Sequence, residues 1–114
     1  MAKRSLLSVS EPVLNTSIVA TITRRRRQLM VHSAIYYRLG TSLIEDATFD
    51  KWAYELVELQ KKYPEESKKA DLYEDFKDWD GATGYNLNYT GFLGLADYLI
   101  NICEVDKLYE HTKL

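Results

Sequence analysis

A single cysteine, Cys103, stands in this sequence, so no disulfide can form within the chain. Its neighbours Ile100, Ile102 and Val105 make it read as a small apolar residue rather than a nucleophile, which suits a reducing compartment. Histidine occurs only as His32 and His111. Neither has a second metal-type ligand at suitable spacing, and neither pairs with Cys103 for nucleophilic catalysis, so His32 reads as structural. Long apolar runs are absent as well. The stretch from Ser17 to Ile22 is too short for a secretory signal, and nothing approaches the roughly 18 apolar residues of a membrane span. The expectation is a cytoplasmic protein with no membrane contact. Proline is confined to Pro12 and Pro64 and glycine to five positions, which leaves long stretches free of helix breakers.

What is abundant is tyrosine, nine residues in 114, within a composition that is 46% hydrophobic and 28% charged. Such a chain is one globular unit by length and buries amphipathic surface well, in a core or at an interface. The net charge of −2 conceals two unlike parts. Residues 1–40 set seven basic side chains against Glu11 alone, a balance of +6, while the remainder sets eight lysines against sixteen acids, a balance of −8. One end can therefore attract polyanions that the rest repels.

The hydrophobic spacing predicts an all-α fold of three or four helices, a small bundle built on an antiparallel hairpin with one or two further helices. Residues 1–16 form an N-terminal arm whose course the pattern leaves open, and 17–114 form one helical domain. Within it, Ile18, Ile22, Leu29 and Tyr36 recur at helical spacing, predicting one helix over 17–39 that Gly40-Thr41-Ser42 stops. The second helix spans about 47–63, with Asp46 or Thr48 as its N-cap, Asp50 in its first turn and Pro64 as its end. Phe49, Trp52, Ala53, Leu56, Leu59 and Tyr63 form its apolar face. Residues 66–89 supply a short third helix, edged by Leu72, Tyr73, Phe76 and Trp79, and then an ordered loop. A last helix covers 90–114. A loop this short between the first two helices sets Tyr36 and Tyr37 near Asp46, Phe49 and Asp50.

The run RQLMVHSAIYYRLGTSLIEDATFDKWAYELVELQKKYPE, residues 27–65, resembles the small N-terminal helical domain of the NAD-dependent bacterial DNA ligases. The features that carry the resemblance are Tyr36-Tyr37 before a short loop, the string from Asp46 to Asp50 opening the second helix, Glu55-Leu56 with Glu58-Leu59, and the closing Tyr63-Pro64-Glu65. The resemblance implies a site for the nicotinamide mononucleotide half of NAD, lined by Tyr36, Tyr37, Asp46, Phe49 and Asp50. Aromatic faces suit a pyridinium and carboxylates add attraction and acceptors. Phe49 stands where the family has tyrosine, and the family's loop proline is missing. The catalytic half of the resemblance fails. Ligases adenylate the lysine of a Lys-x-Asp-Gly motif, and the nearest string here, Lys77-Asp78-Trp79-Asp80-Gly81, puts Asp78 where that lysine belongs. The layout looks like the short stand-alone ligase-like proteins of phages and prophages, which places the chain in the host cytoplasm and implies no enzyme.

Three functions remain. The first is a non-catalytic accessory protein that binds a protein partner, a host or defence factor by that context, through Trp79, Tyr85 and Asn86 on the turn-rich loop. The second is a module that binds nicotinamide mononucleotide or NAD, with no cofactor certain. The third is a DNA-associated factor using Arg24, Arg25, Arg26 and Arg27, although successive helical residues rotate by about 100° and the four spread around the helix as a largely solvated collar.

Overall fold

The computed structural model describes residues 14–112, with side chains as far as residue 103, so most of the expected arm over 1–16 lies outside the described residues. The described part is all-α, and no strand occurs in it. Helix α1, Thr16–Ser33, starts where Asn15 Oδ1 accepts from the Ser17 and Ile18 amides at 3.0 and 3.3 Å, satisfying donors that a helix start leaves open. The Asn15 amide itself donates to Glu66 Oε2 at 3.0 Å, which ties this end to a later helix.

At its other end α1 does not run on to Leu39 in one form. It widens into a π-helical turn over Ala34–Arg38, in which the Leu39 amide reaches Ala34 O at 3.2 Å. Gly40, at φ +70°, ends it while the Thr41 amide donates to Ile35 O at 3.2 Å; the left-handed conformation suits glycine. A π turn inserts an extra residue and resets the angular phase of the side chains beyond it. Ile35 is thereby fully buried while Tyr36 and Tyr37 next to it stand 55% and 36% exposed.

Helix α2, Asp46–Lys62, is preceded by Glu45 as N-cap, with no side-chain capping bond. Neither Asp46 nor Thr48 is the cap; Asp46 lies inside the first turn, where its charge meets the positive end of the helix dipole. The two helices run antiparallel, from Arg26 Nε on Gln60 Oε1 at 2.9 Å near one end to His32 edge-on to Trp52 at 5.5 Å near the other. Between them Arg25 Nη2 pairs with Glu55 Oε1 at 2.7 Å while the guanidinium carbon lies 5.4 Å from the centre of the Trp52 ring.

Pro64 closes α2 and also opens α3, Pro64–Lys69, at its first position, where the missing amide costs nothing. The single third helix expected from the sequence is divided into α3 and the short α4, Tyr73–Phe76, with Leu72 at φ +67° as the hinge between them. Arg26 accounts for the division. It is 0% exposed, and both terminal nitrogens of its guanidinium donate to acceptors gathered there: Nη1 to the Ala70 and Asp71 carbonyls at 3.1 and 2.8 Å, and Nη2 to Ser67 O and Oγ at 3.1 and 2.7 Å. Two successive carbonyls on one nitrogen require the chain to turn there. This corrects the expectation of an arginine collar. Arg26 is a structural tether out of reach of phosphate, its pKa lowered to about 10 by burial, and Arg25 is engaged with Glu55.

After a loop, a 3₁₀ turn at Thr90–Phe92 leads into α5, Leu93–Thr112, which packs on the π turn and on α1 around the fully buried Ala96. Arg27 lies 5.3 Å from the Phe92 ring centre. The core is formed by Ile22, Leu29, Met30, Ile35, Leu56 and Phe76, all fully buried, at about 1.5–3 kcal/mol of transfer free energy for each large apolar side chain.

Candidate functional site

A cleft of about 250 Å³ opens where the π turn, the start of α2 and the loop after α4 meet. The five residues that the hairpin resemblance implies, Tyr36, Tyr37, Asp46, Phe49 and Asp50, all line it. Asp46 and Asp50 are one turn apart at the start of α2 and project on the same side, both exposed to solvent. Phe49, from the same turn, is half-buried and packs against the core. Tyr36 and Tyr37 meet edge to face with ring centres 4.8 Å apart.

The opposite wall is one that the sequence does not announce. Ala82 and Thr83 come down over the cleft, and the Thr83 and Tyr37 hydroxyls are hydrogen-bonded at 2.8 Å. Tyr37 is further fixed by stacking on Tyr89, 6.3 Å away at 12°, and by the edge of Tyr85 at 5.5 Å. An aromatic side chain held from three sides has lost its rotamer freedom before any ligand arrives, so binding need not spend free energy on ordering it. The loop itself is fastened by Trp79, whose indole Nε1 donates to Thr83 O at 2.9 Å while its ring packs edge-on to Phe76 at 5.2 Å. Trp79 is half-buried, which corrects its expected place on an exposed contact surface. It is turned inward as a strut. Tyr85, 64% exposed, and Asn86 do face solvent.

The floor comes from α1. Ser33 is fully buried, and its Oγ has no hydrogen-bond partner; His32 Nδ1 is likewise buried and unpartnered. Native proteins rarely leave such groups unpaired, and both residues line the cleft. Burial pushes the His32 pKa below its usual value, which favours a neutral ring whose nitrogen can accept or donate. Glu45 adds a third carboxylate, and Ser42 and Ile44 complete the loop side. The sequence signal for the missed wall is Gly84. A Cβ there would collide with Ser33 and lie 3.2 Å from Phe49 Cζ, so the chain can pass over the cleft only without a side chain at that point.

Of the other expected groups, Arg24 and Arg27 are exposed on α1, away from the cleft lining. No group of three metal-type ligands occurs among the described residues, and no helix among them is long and apolar enough to cross a membrane.

Comparison with known proteins bears on the same region. The family model for the DNA ligase-like, N-terminal NAD+-binding domain matches residues 15–71, half of the chain, from the cap of α1 to the hinge after α3. A curated DNA ligase of Pseudothermotoga lettingae is 41% identical over 44 residues, which is 39% of this chain and 6% of that protein. The matched stretch is thus a small part of the ligase's length. No solved structure matches the chain.

Proposed function

Because this chain belongs to the family of DNA ligase-like, N-terminal NAD+-binding domains, we propose that it binds the nicotinamide end of a pyridine nucleotide in the cleft between the π turn and α2. The observation that carries the reading is the convergence of Tyr36, Tyr37, Asp46, Phe49 and Asp50 on one cleft. A pyridinium ring is flat and cationic. It is favoured by aromatic faces and by nearby carboxylates, and its amide needs a few hydrogen-bonding atoms. The cleft offers all three, with the unpartnered Ser33 Oγ and His32 Nδ1 at its floor. The chain acts by binding rather than by catalysis on this reading, since its one Asp-Gly string after a lysine carries Asp78 where an adenylated lysine would have to be.

A calorimetric titration with nicotinamide mononucleotide and with NAD tests this. Saturable binding in the micromolar to millimolar range is expected, with a drop of about tenfold or more in Asp46→Ala. The absence of binding by both ligands at millimolar concentration would end the reading.

A second reading, action through a protein partner in a phage-type setting, draws on exposed apolar residues outside the cleft. Tyr85 is 64% exposed, and Leu95, Tyr98 and Ile102 stand 42%, 61% and 37% exposed at helical spacing on α5; large exposed apolar groups are common in interfaces. The reading expects Tyr98→Ala and Leu95→Ala to abolish the recovery of a discrete partner by affinity capture while leaving nucleotide binding intact. Equal recovery with the variants would dismiss it.

A further inference from the structure

The wall that comes down over the cleft is a short strap, residues 82–86, fixed at both ends and lightly held between them. Before it, Trp79 packs edge-on to Phe76, and Gly81, at φ +83°, lies against α2, where a Cβ would come 3.1 Å from Val57 Cγ2. After it, Leu87 and Tyr89 are buried. The strap keeps its shape through local hydrogen bonds. The Ala82 amide donates to Asp80 Oδ1 at 2.9 Å, the Tyr85 amide to Thr83 Oγ1 at 3.1 Å and the Leu87 amide to Gly84 O at 3.1 Å. Among the described residues a single hydrogen bond joins 82–86 to the helices, the exposed 2.8 Å contact between the Thr83 and Tyr37 hydroxyls.

Closure is opposed by the floor that it covers. Gly84 is seated directly on Ser33 and beside Phe49 Cζ, and Ser33 Oγ beneath it is buried with no hydrogen-bond partner; His32 Nδ1, the neighbour on α1, is in the same condition. A buried unpaired polar group disfavours the state that buries it. What retains the strap is one hydroxyl pair, the edge of Tyr85 on Tyr37 at 5.5 Å and the fit of Gly84. A rigid segment with opposing terms of this size has two accessible positions.

Resting on the nicotinamide reading above, we propose that the strap 82–86 is a gate over the cleft, latched by the Thr83 and Tyr37 hydroxyls, whose open position admits the ligand to Ser33 and His32. It pivots about Gly81 and the Trp79 indole, which keeps its hold on Thr83 O at 2.9 Å. Lifting Gly84 brings the Ser33 hydroxyl within reach of water or of a carboxamide. The rate of ligand entry then follows the fraction of molecules in the open position.

Two substitutions should act in opposite directions. Thr83→Val removes the latch and keeps the branched shape, favouring the open position, whereas Ser33→Ala removes the orphaned hydroxyl and favours the closed one. In the ligand-free protein, NMR relaxation dispersion is expected to show microsecond-to-millisecond exchange at the amides of 82–86 and little along α2. The open population should rise roughly three- to tenfold in Thr83→Val and fall in Ser33→Ala. Stopped-flow mixing with nicotinamide mononucleotide should give association faster by a similar factor in Thr83→Val and slower in Ser33→Ala. If Thr83 were only a wall, its loss would speed dissociation and leave association alone. Flat dispersion over 82–86 overturns the gate and leaves the nicotinamide reading standing, as do association rates that ignore the open population. Failure of the mononucleotide to bind overturns the reading and the gate together.

Discussion

Replacing Arg26 by alanine is expected to lower the unfolding free energy by about 3–5 kcal/mol, a large share of a total that is on the order of 5–15 kcal/mol for a domain. The side chain is 0% exposed and its donors hold Gln60, Ser67 and the carbonyls of Ala70 and Asp71. Removing it strands these acceptors, and each buried unpaired group costs about 1–3 kcal/mol. It also leaves a void beside Tyr73 and Phe76, whose rings lie 5.9 and 6.0 Å from the guanidinium carbon. Arg26→Lys keeps the charge but not the planar fork that reaches acceptors on two sides, so it should fall between the wild type and the alanine variant. Arg24→Ala, on the exposed side of the same helix, should lie within about 0.5 kcal/mol of the wild type. Guanidinium denaturation of the four proteins reads the order directly. If Arg26→Ala and Arg24→Ala melt together, the tether is not what joins α1 to α3 and α4.

That arginine shows where sequence reasoning stops. A run of four arginines on a helix must spread around its circumference, which is readable from the 3.6-residue period. Which of the four turns inward is not, because the answer lies in carbonyls more than 40 residues further on. The same contact breaks the expected third helix in two at Leu72, a hinge that no glycine or asparagine marks. By contrast the hairpin is legible. Its apolar spacing, the stop at Gly40 and the break at Pro64 are all local, and the antiparallel arrangement comes from a loop too short for any other. The π turn is invisible in the sequence, since Ala34–Arg38 has the same helix-forming character as the residues before it.

The candidate site divides along the same line. Tyr36, Tyr37, Asp46, Phe49 and Asp50 fall within fifteen consecutive residues, so a hairpin suffices to bring them together. Thr83 meets Tyr37 across 46 positions, and no periodicity carries information over that distance. Trp79 misleads for a related reason. Its neighbours Asp78 and Asp80 are exposed and suggest a solvent-facing segment, but a loop fixed by one indole hydrogen bond can turn a single side chain inward among polar ones.

Gly84→Ala should prove as damaging to the cleft as the Arg26 change is to the fold. A Cβ at this position would run into Ser33 Oγ, lie 3.0 Å from Ser33 Cβ and 3.2 Å from Phe49 Cζ. All three atoms belong to helices that cannot yield far, because Ser33 is fully buried on α1 and Phe49 is packed on the core. The loop must give way instead. Overpacking of this kind costs about 1–3 kcal/mol, and the movement pulls Thr83 from the Tyr37 hydroxyl and from the Trp79 indole. With Tyr37 released, nicotinamide nucleotide affinity is expected to fall by about tenfold or more, each tenfold corresponding to about 1.4 kcal/mol. Gly91→Ala is the matched control, since nothing lies within 4 Å of a Cβ there. The steric account is tested by rescue. Ser33→Ala alone removes a buried hydroxyl that has no partner and should leave stability near the wild type or above it. Combined with Gly84→Ala it clears the worst of the collision, so the double variant should recover a large part of the stability lost, by denaturation midpoint. A double variant no more stable than Gly84→Ala would mean that the glycine serves the backbone of the loop and not its passage over Ser33.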